Sequence, residues 1–348
     1  MSAFDTAEVR ERTLTATELQ EACQRVLAEH GARALQYGPT QGYRPLREMI
    51  SRHTARYGIS ITPDQVLVTS GAQQALDLIG KVFINPGDHI LVEEPTHVGA
   101  LEAWQSYQAE YVGVPLDAEG IQTDLLEAAL RSGPKLLYVL PNFHNPTGVT
   151  LSLARRLKLV ALADQYGVPI LEDDPYGQLR YAGEHIAPLA VLDGRLHTHE
   201  HLPDSGNVLY LSTFSQTLAP GLRLGWMIAP VDVMPRLVQA KQGADLQTSL
   251  FLQMVAYEVA RGGFEVAFWI IMCASFESFI VNAVMRCSWR YATPSLLRRP
   301  GQSHRVASLS GSRCHRPSTP PPCYRQPWPP TWRLLLARRS LPTAEDST

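Results

Sequence analysis

"KLLYVLPNFHNPTGVTLSLARRLKLVALADQYGVPILEDD", residues 135–174, decides the fold. It opens on a short apolar run, 135–142, that reads as a buried strand. A longer segment, 152–167, carries apolar residues at helical spacing and ends on Gly167, as helix C-termini often do. A second short apolar run, 168–174, ends in acids. The same alternation extends outward. "QVLVTS" (65–70), "HILVEEP" (89–95), "NVLYLST" (207–213) and "LGWMIAP" (224–230) read as further buried strands, and "GAQQALDLIGKVF" (71–83) and "TDLLEAALRSG" (123–133) as helices. Strands alternating with helices predict a three-layer α/β/α fold whose mostly parallel sheet is covered on both faces.

A chain of 348 residues is long enough for a sizeable core and two domains. The formal net charge of -2 offers no overall electrostatic case for nucleic acid or an acidic membrane surface. The first twenty residues lack a basic region followed by an apolar run, so no secretory signal is read and a cytoplasmic location is expected. The cysteines, Cys23, Cys273, Cys287, Cys314 and Cys323, lack paired metal-ligand spacing, and neither zinc nor a disulfide framework is expected.

After Phe264 the character changes. Residues 266–285 are apolar but interrupted by Glu277 and Asn282. The length would suit a membrane span, yet a glutamate near its middle is costly there, and no span is expected. From Arg286 the chain is rich in Arg, Pro, Ser and Cys, without lysine and with only Glu345 and Asp346 acidic. A GC-rich gene read out of frame gives such a composition, so residues 265–348 are read as a frameshifted or otherwise aberrant end. A disordered basic extension is the alternative.

Four strand ends carry residues suited to one ligand. "VTSGAQQAL" (68–76) leaves the backbone N–H groups of Gly71, Ala72 and Gln73 at a helix N-terminus, an anion site, though any strand-to-helix turn can use Ser-Gly. "PNFHNPTG" (141–148) holds the amide of Asn145 at the sheet's C-terminal edge, where open α/β sheets bind ligands; a purely structural turn would also favour asparagine. "LEDDPYGQLRY" (171–181) offers Asp173 and Tyr176 to one ring, although an acidic strand end is often a solvated turn. "STFSQTLAPGLRLGW" (212–226) adds the hydroxyls of Thr213 and Ser215 and the guanidinium of Arg223, a set suited to phosphate. Four such ends in one sheet are far less easily accidental than any one.

These segments, with "LQYGPTQGYRPLRE" (35–48) and "EEPTHVGAL" (93–101), resemble the class I/II aminotransferases of the aspartate-aminotransferase fold. They are most similar to the branch holding 2-aminoadipate and kynurenine aminotransferases and MocR-type regulators. The resemblance covers residues 15–264. It implies the type I fold of transferases dependent on pyridoxal 5'-phosphate (PLP), with a large PLP domain over 37–235, interdomain helices over 236–264 and an atypical N-terminal arm over 1–36. Gly71, Ala72 and Gln73 would hold the cofactor phosphate, with Thr213, Ser215 and Arg223 on its other side. Asp173 would pair with the pyridine nitrogen, Asn145 and Tyr176 with the ring's phenolic oxygen, and His97 would stack on the ring where relatives commonly carry tyrosine. Tyr37 would reach the phosphate of a neighbouring subunit, implying a homodimer. The implied reaction moves an amino group from an amino acid to a 2-oxo acid.

Gln216 stands where the resemblance places the Schiff-base lysine. An amine serves there first as nucleophile and then as general base, and an amide can do neither. Lys81, Lys135, Lys158 and Lys241 lie outside the motif. The usual substrate-carboxylate arginine motif is not found after Phe264, and "MSAFDTAEVRERTL" replaces the usual first segment. PLP binding is therefore expected to be noncovalent at best and transamination impaired. The alternatives are a noncatalytic PLP-binding pseudoenzyme, or the nonfunctional product of a degraded gene. A DNA-binding regulator is not expected, because too few residues precede Leu35 for a helix-turn-helix domain.

Overall fold

Short apolar runs become strands here because they are buried on both faces, and the longer amphipathic segments between them become the covering helices. The computed structural model describes residues 16–180, 183–196 and 206–261. The chain runs α1 (Ala16–His30), α2 (Arg44–Ala55), β1 (Val66–Thr69), α3 (Ala72–Phe83), β2 (His89–Glu94), α4 (Val98–Gln105), β3 (Glu110–Asp117), β4 (Gly120–Ile121) and α5 (Thr123–Leu130). It continues through β5 (Leu136–Val139), α6 (Leu153–Tyr166), β6 (Ile170–Asp173), α7 (Leu189–Leu196), β7 (Val208–Thr213), β8 (Gly225–Ile228), α8 (Met234–Asp245) and α9 (Leu250–Arg261).

Among the described residues the strands form one eight-stranded sheet in the order β1-β8-β7-β6-β5-β2-β3-β4. The run β7, β6, β5, β2, β3 is parallel throughout. β8 lies antiparallel between β7 and β1, and β4 pairs antiparallel with β3. The mostly parallel α/β sheet anticipated from the pattern is thus present, with each of the six anticipated strands in it.

Alternation along the strands splits the core in two. Leu137, Val139, Ile170, Val208 and Ile228 pack on one face beneath α1, α2, α5, α6, α7 and α9. Leu136, Tyr138, Leu171, Leu209 and Met227 pack on the other beneath α3, α4 and α8. Local signals set the helix ends. Ser152 Oγ accepts the Arg155 N–H and opens α6, while Gly167, in the left-handed region at φ 63, closes it. α1 buries Ala22 and Val26 and is tied to α9 by the Arg25–Glu258 and Arg261–Glu29 ion pairs.

Among the described residues no helix is long and apolar enough to cross a membrane, and no cluster of His, Cys, Asp and Glu is arranged to hold a metal ion. The apolar stretch 266–285, the rest of the 265–348 segment read as aberrant, and the atypical first segment lie outside the described residues.

Candidate functional site

The C-terminal ends of β5, β6 and β7 meet the N-terminus of α3 around a cleft of about 200 Å³. Ala72, Gln73, His97, Asn145, Asp173, Tyr176, Thr213, Ser215, Gln216 and Arg223 all line it. Gly71 adjoins it through Arg223. Tyr37 does not belong to it: it is 81% exposed and lines a separate hollow with Arg33, Arg44 and Met254.

One end of the cleft is built for an anion. Gly71 is the N-cap of α3, at φ 81, and no side chain caps the N–H groups of the first turn. Those N–H groups and the helix dipole favour negative charge. A Cβ at position 71 would stand 2.5 Å from Arg223 Nη2, and one at Gly225 only 2.9 Å from the Ala72 nitrogen. Two glycines therefore let the guanidinium and β8 close on the turn. Arg223 itself sits in the left-handed region at φ 52, an uncommon place for a side chain of its size. Thr213 Oγ1 accepts the Ser215 N–H at 3.0 Å and lies 3.0 Å from Ser215 Oγ, so both hydroxyls share one corner.

The opposite end is built around Asp173, which is only 3% exposed. Its Oδ2 accepts the Tyr138 hydroxyl at 2.7 Å, while Oδ1 has no partner among the described residues. Burial and the neighbouring Asp174 push the carboxyl up to about 7, against the Tyr138 hydrogen bond that pulls it down. A ring N–H, preferably a charged one, is the partner Oδ1 lacks. Burial and Asp173 raise the Tyr176 phenol, and a hydrogen bond with Asn145 opposes them. The Asn145 amide nitrogen is 3.4 Å from His97 Nδ1. Burial holds His97 below the ordinary imidazole value, so the ring is neutral near pH 7.

Gln216 lines the same cleft. Among the described residues its side chain has no hydrogen-bond partner, and its amide offers the cleft neither a nucleophile nor a base. No lysine lines the cleft among the described residues, and Lys241 donates to Gln74 and Asp245 instead.

The structure corrects one expectation and adds residues the sequence did not suggest. The acids at 172–174 do not meet solvent. Glu172 is wholly buried and accepts the Leu189 and Ala190 N–H groups at the start of α7, each at 2.9 Å. Asp174 is also buried and accepts from Asn142 Nδ2, the Gly177 N–H and the Tyr210 hydroxyl. Both flanking carboxylates are thus internal fasteners, and only Asp173 faces the cleft. Tyr138 was missed because it reads as an ordinary strand aromatic. Its one clue is that β5 precedes, and parallels, the strand that ends in Asp173.

The family model for aminotransferase class I and II matches residues 7–266. Aromatic-amino-acid aminotransferase 1 of Thermococcus litoralis is 45% identical over 251 residues, covering 70% of this chain and 58% of that protein. The 2-aminoadipate transaminase of Thermus thermophilus is 40% identical over 250 residues, 71% of this chain and 59% of the relative. The crystal structure of Pyrococcus horikoshii kynurenine aminotransferase in complex with PMP superposes with a TM-score of 0.67 at 39% identity, over 74% of this chain and 63% of that one. The chain thus spans less than three fifths of the length of these two curated relatives. With the family model covering well over half of its residues, the chain belongs to the class I and II aminotransferases.

Proposed function

We propose that this chain binds PLP noncovalently in the cleft and that its transaminase chemistry, moving an amino group between an amino acid and a 2-oxo acid, is impaired at Gln216. The observation that carries the reading is the buried Asp173 carboxylate, whose Oδ1 lacks a partner at one end of a cleft that has an anion cradle at the other. The residues fit the group. Gly71, Ala72, Gln73, Thr213, Ser215 and Arg223 would hold the phosphate, Asp173 the protonated pyridine nitrogen, Asn145 and Tyr176 the phenolic oxygen, and His97 the ring face. When bound, PLP supplies an electron sink for charge developing at the substrate Cα.

The chain's own residues explain the impairment. Asp173 keeps a pyridine nitrogen protonated only while its carboxyl is ionised. A proton leaving the substrate Cα needs a nearby base, and the Gln216 amide does not accept one near neutral pH. Loss of an attacking amine and a base at one position should cost several orders of magnitude in rate. The exposed Tyr37, held outside its own cleft, supports a homodimer in which it reaches the partner's phosphate.

The test mixes PLP with the full chain and with a Gln216→Lys variant, adds borohydride, and weighs both chains by mass spectrometry. A permanent cofactor adduct on the variant alone is expected, together with a PLP-dependent absorbance change in both. If PLP perturbs neither spectrum, the reading is wrong. Ordinary steady-state turnover by the unaltered chain with several amino donors would overturn the impairment.

A further inference from the structure

Lys241, on α8, has a wholly buried side chain. A buried ammonium is costly unless its protons find acceptors. Here Nζ donates to Asp245 Oδ1 and Oδ2, each at 2.8 Å, and to Gln74 Oε1 at 2.9 Å. Gln74 in turn accepts the Ser70 N–H at 2.8 Å and donates to Asp245 Oδ2 at 2.6 Å. Asp245 Oδ2 also accepts from Ser70 Oγ at 3.3 Å. Thr248 Oγ1, 3.3 Å from Ser70 Oγ, reaches the Val68 carbonyl. The first turn of α3 and the last turn of α8 thus meet on one ammonium, and Ser70, just past β1, joins them through Gln74 and Asp245.

The location gives the network a consequence. Ser70 immediately precedes Gly71, whose positive φ starts the turn that aims the first N–H groups of α3 at the cleft. Gln74 lies on the same first turn yet lines the network and not the cleft. Its amide takes up the Ser70 N–H, which fixes where the turn bends. Binding groups that are already held in place lose less freedom when a ligand arrives.

We propose that Lys241 is a positioning residue for the phosphate end of the cleft: through Gln74 and Asp245 it fixes the Ser70–Gly71 turn, and affinity for a phosphate monoester depends on that fixation. The proposal rests on reading the cleft as a PLP site and assigns to it a residue some way outside the lining.

The experiment titrates the full chain with pyridoxamine 5'-phosphate, with pyridoxamine, and with inorganic phosphate as competitor, following tryptophan fluorescence. Lys241→Met and Gln74→Met are compared with the unaltered chain. Both should bind pyridoxamine 5'-phosphate and inorganic phosphate about tenfold more weakly while pyridoxamine affinity is unchanged. Should Lys241→Met fail to fold, Gln74→Met carries the test, because it leaves the Lys241–Asp245 ion pair in place. A folded variant with undiminished phosphate affinity overturns the proposal, as does an equal loss for the ligands with and without phosphate. If the unaltered chain binds neither phosphate ligand, the cofactor reading falls and this proposal with it; if it binds and the variants bind equally, only this proposal falls.

Discussion

Tyr138→Phe removes one oxygen from the interior and should change how Asp173 titrates. The hydroxyl donates to Oδ2 at 2.7 Å, and the other carboxylate oxygen has no partner among the described residues, so the variant leaves the buried carboxyl without a side-chain donor. A hydrogen bond to a charged acceptor is worth about 1.5–3 kcal/mol, and each pKa unit corresponds to about 1.4 kcal/mol. The Asp173 midpoint, about 7 with the hydroxyl present, should therefore rise by about 1–2 pH units. Asp174 beside it disfavours added negative charge and brings no donor to replace the lost one. Two measurements follow. The carboxyl infrared band of the cofactor-free chain gives the midpoint directly. Chemical denaturation below and above the midpoint gives the cost of the substitution, which should be larger above it, where the carboxylate is ionised. An unmoved or lowered midpoint, or a cost independent of pH, would refute the argument.

Gly71→Ala should weaken pyridoxamine 5'-phosphate binding and lower the melting temperature, since its Cβ would stand 2.5 Å from Arg223 Nη2 at a positive φ; backbone strain of this kind costs about 1–3 kcal/mol. Glu172 and Asp173, both raised to about 7 from ordinary values of 4.5 and 3.8, contribute stability that is fully present below those ordinary values. That stability is lost as pH rises through about 7, so cofactor-free melting temperatures should fall across this window, and Glu172→Gln should flatten the fall. His53, lowered to about 4 by burial, works in the opposite sense, and its contribution is lost as pH falls from 6.5 to about 4. Ser152→Ala should cost about 1 kcal/mol in denaturation, the usual value of a lost helix N-cap.

Much of this molecule was legible because its strands are buried on both faces and bounded by turn residues. β3 was not. Gly113 and Pro115 interrupt it, and it lies next to the short edge strand β4 with much of its length partly exposed, so its pattern lacks a continuous apolar run. The residues gathered at the cleft were legible for a chemical reason: glycines, hydroxyls, an arginine and an acid at successive strand ends have few other uses in one sheet. Tyr138 and Lys241 were illegible because their importance lies in what they touch. One sits among strand aliphatics and the other on a helix, and only the folded chain puts a hydroxyl on Asp173 and an ammonium on Gln74. The acids at 172 and 174 misled because a run of charge normally marks a surface, whereas here backbone N–H groups and the Asn142 and Tyr210 side chains supply what water would.

The place of β8 governs when this site can exist during synthesis. Among the described residues β1 has no sheet neighbour except β8, so within this sheet the strand that leads into the Gly71 turn stays unpaired until residues 225–228 have been made and inserted beside β7. Arg223 and Gly225, which close on Gly71, arrive with that same strand. A nascent chain that has already produced the Asp173 end of the cleft therefore still lacks its anion cradle. Capture of a phosphate-bearing ligand in this cleft would then be a late event, open only to a polypeptide in which β8 already joins β1 to β7.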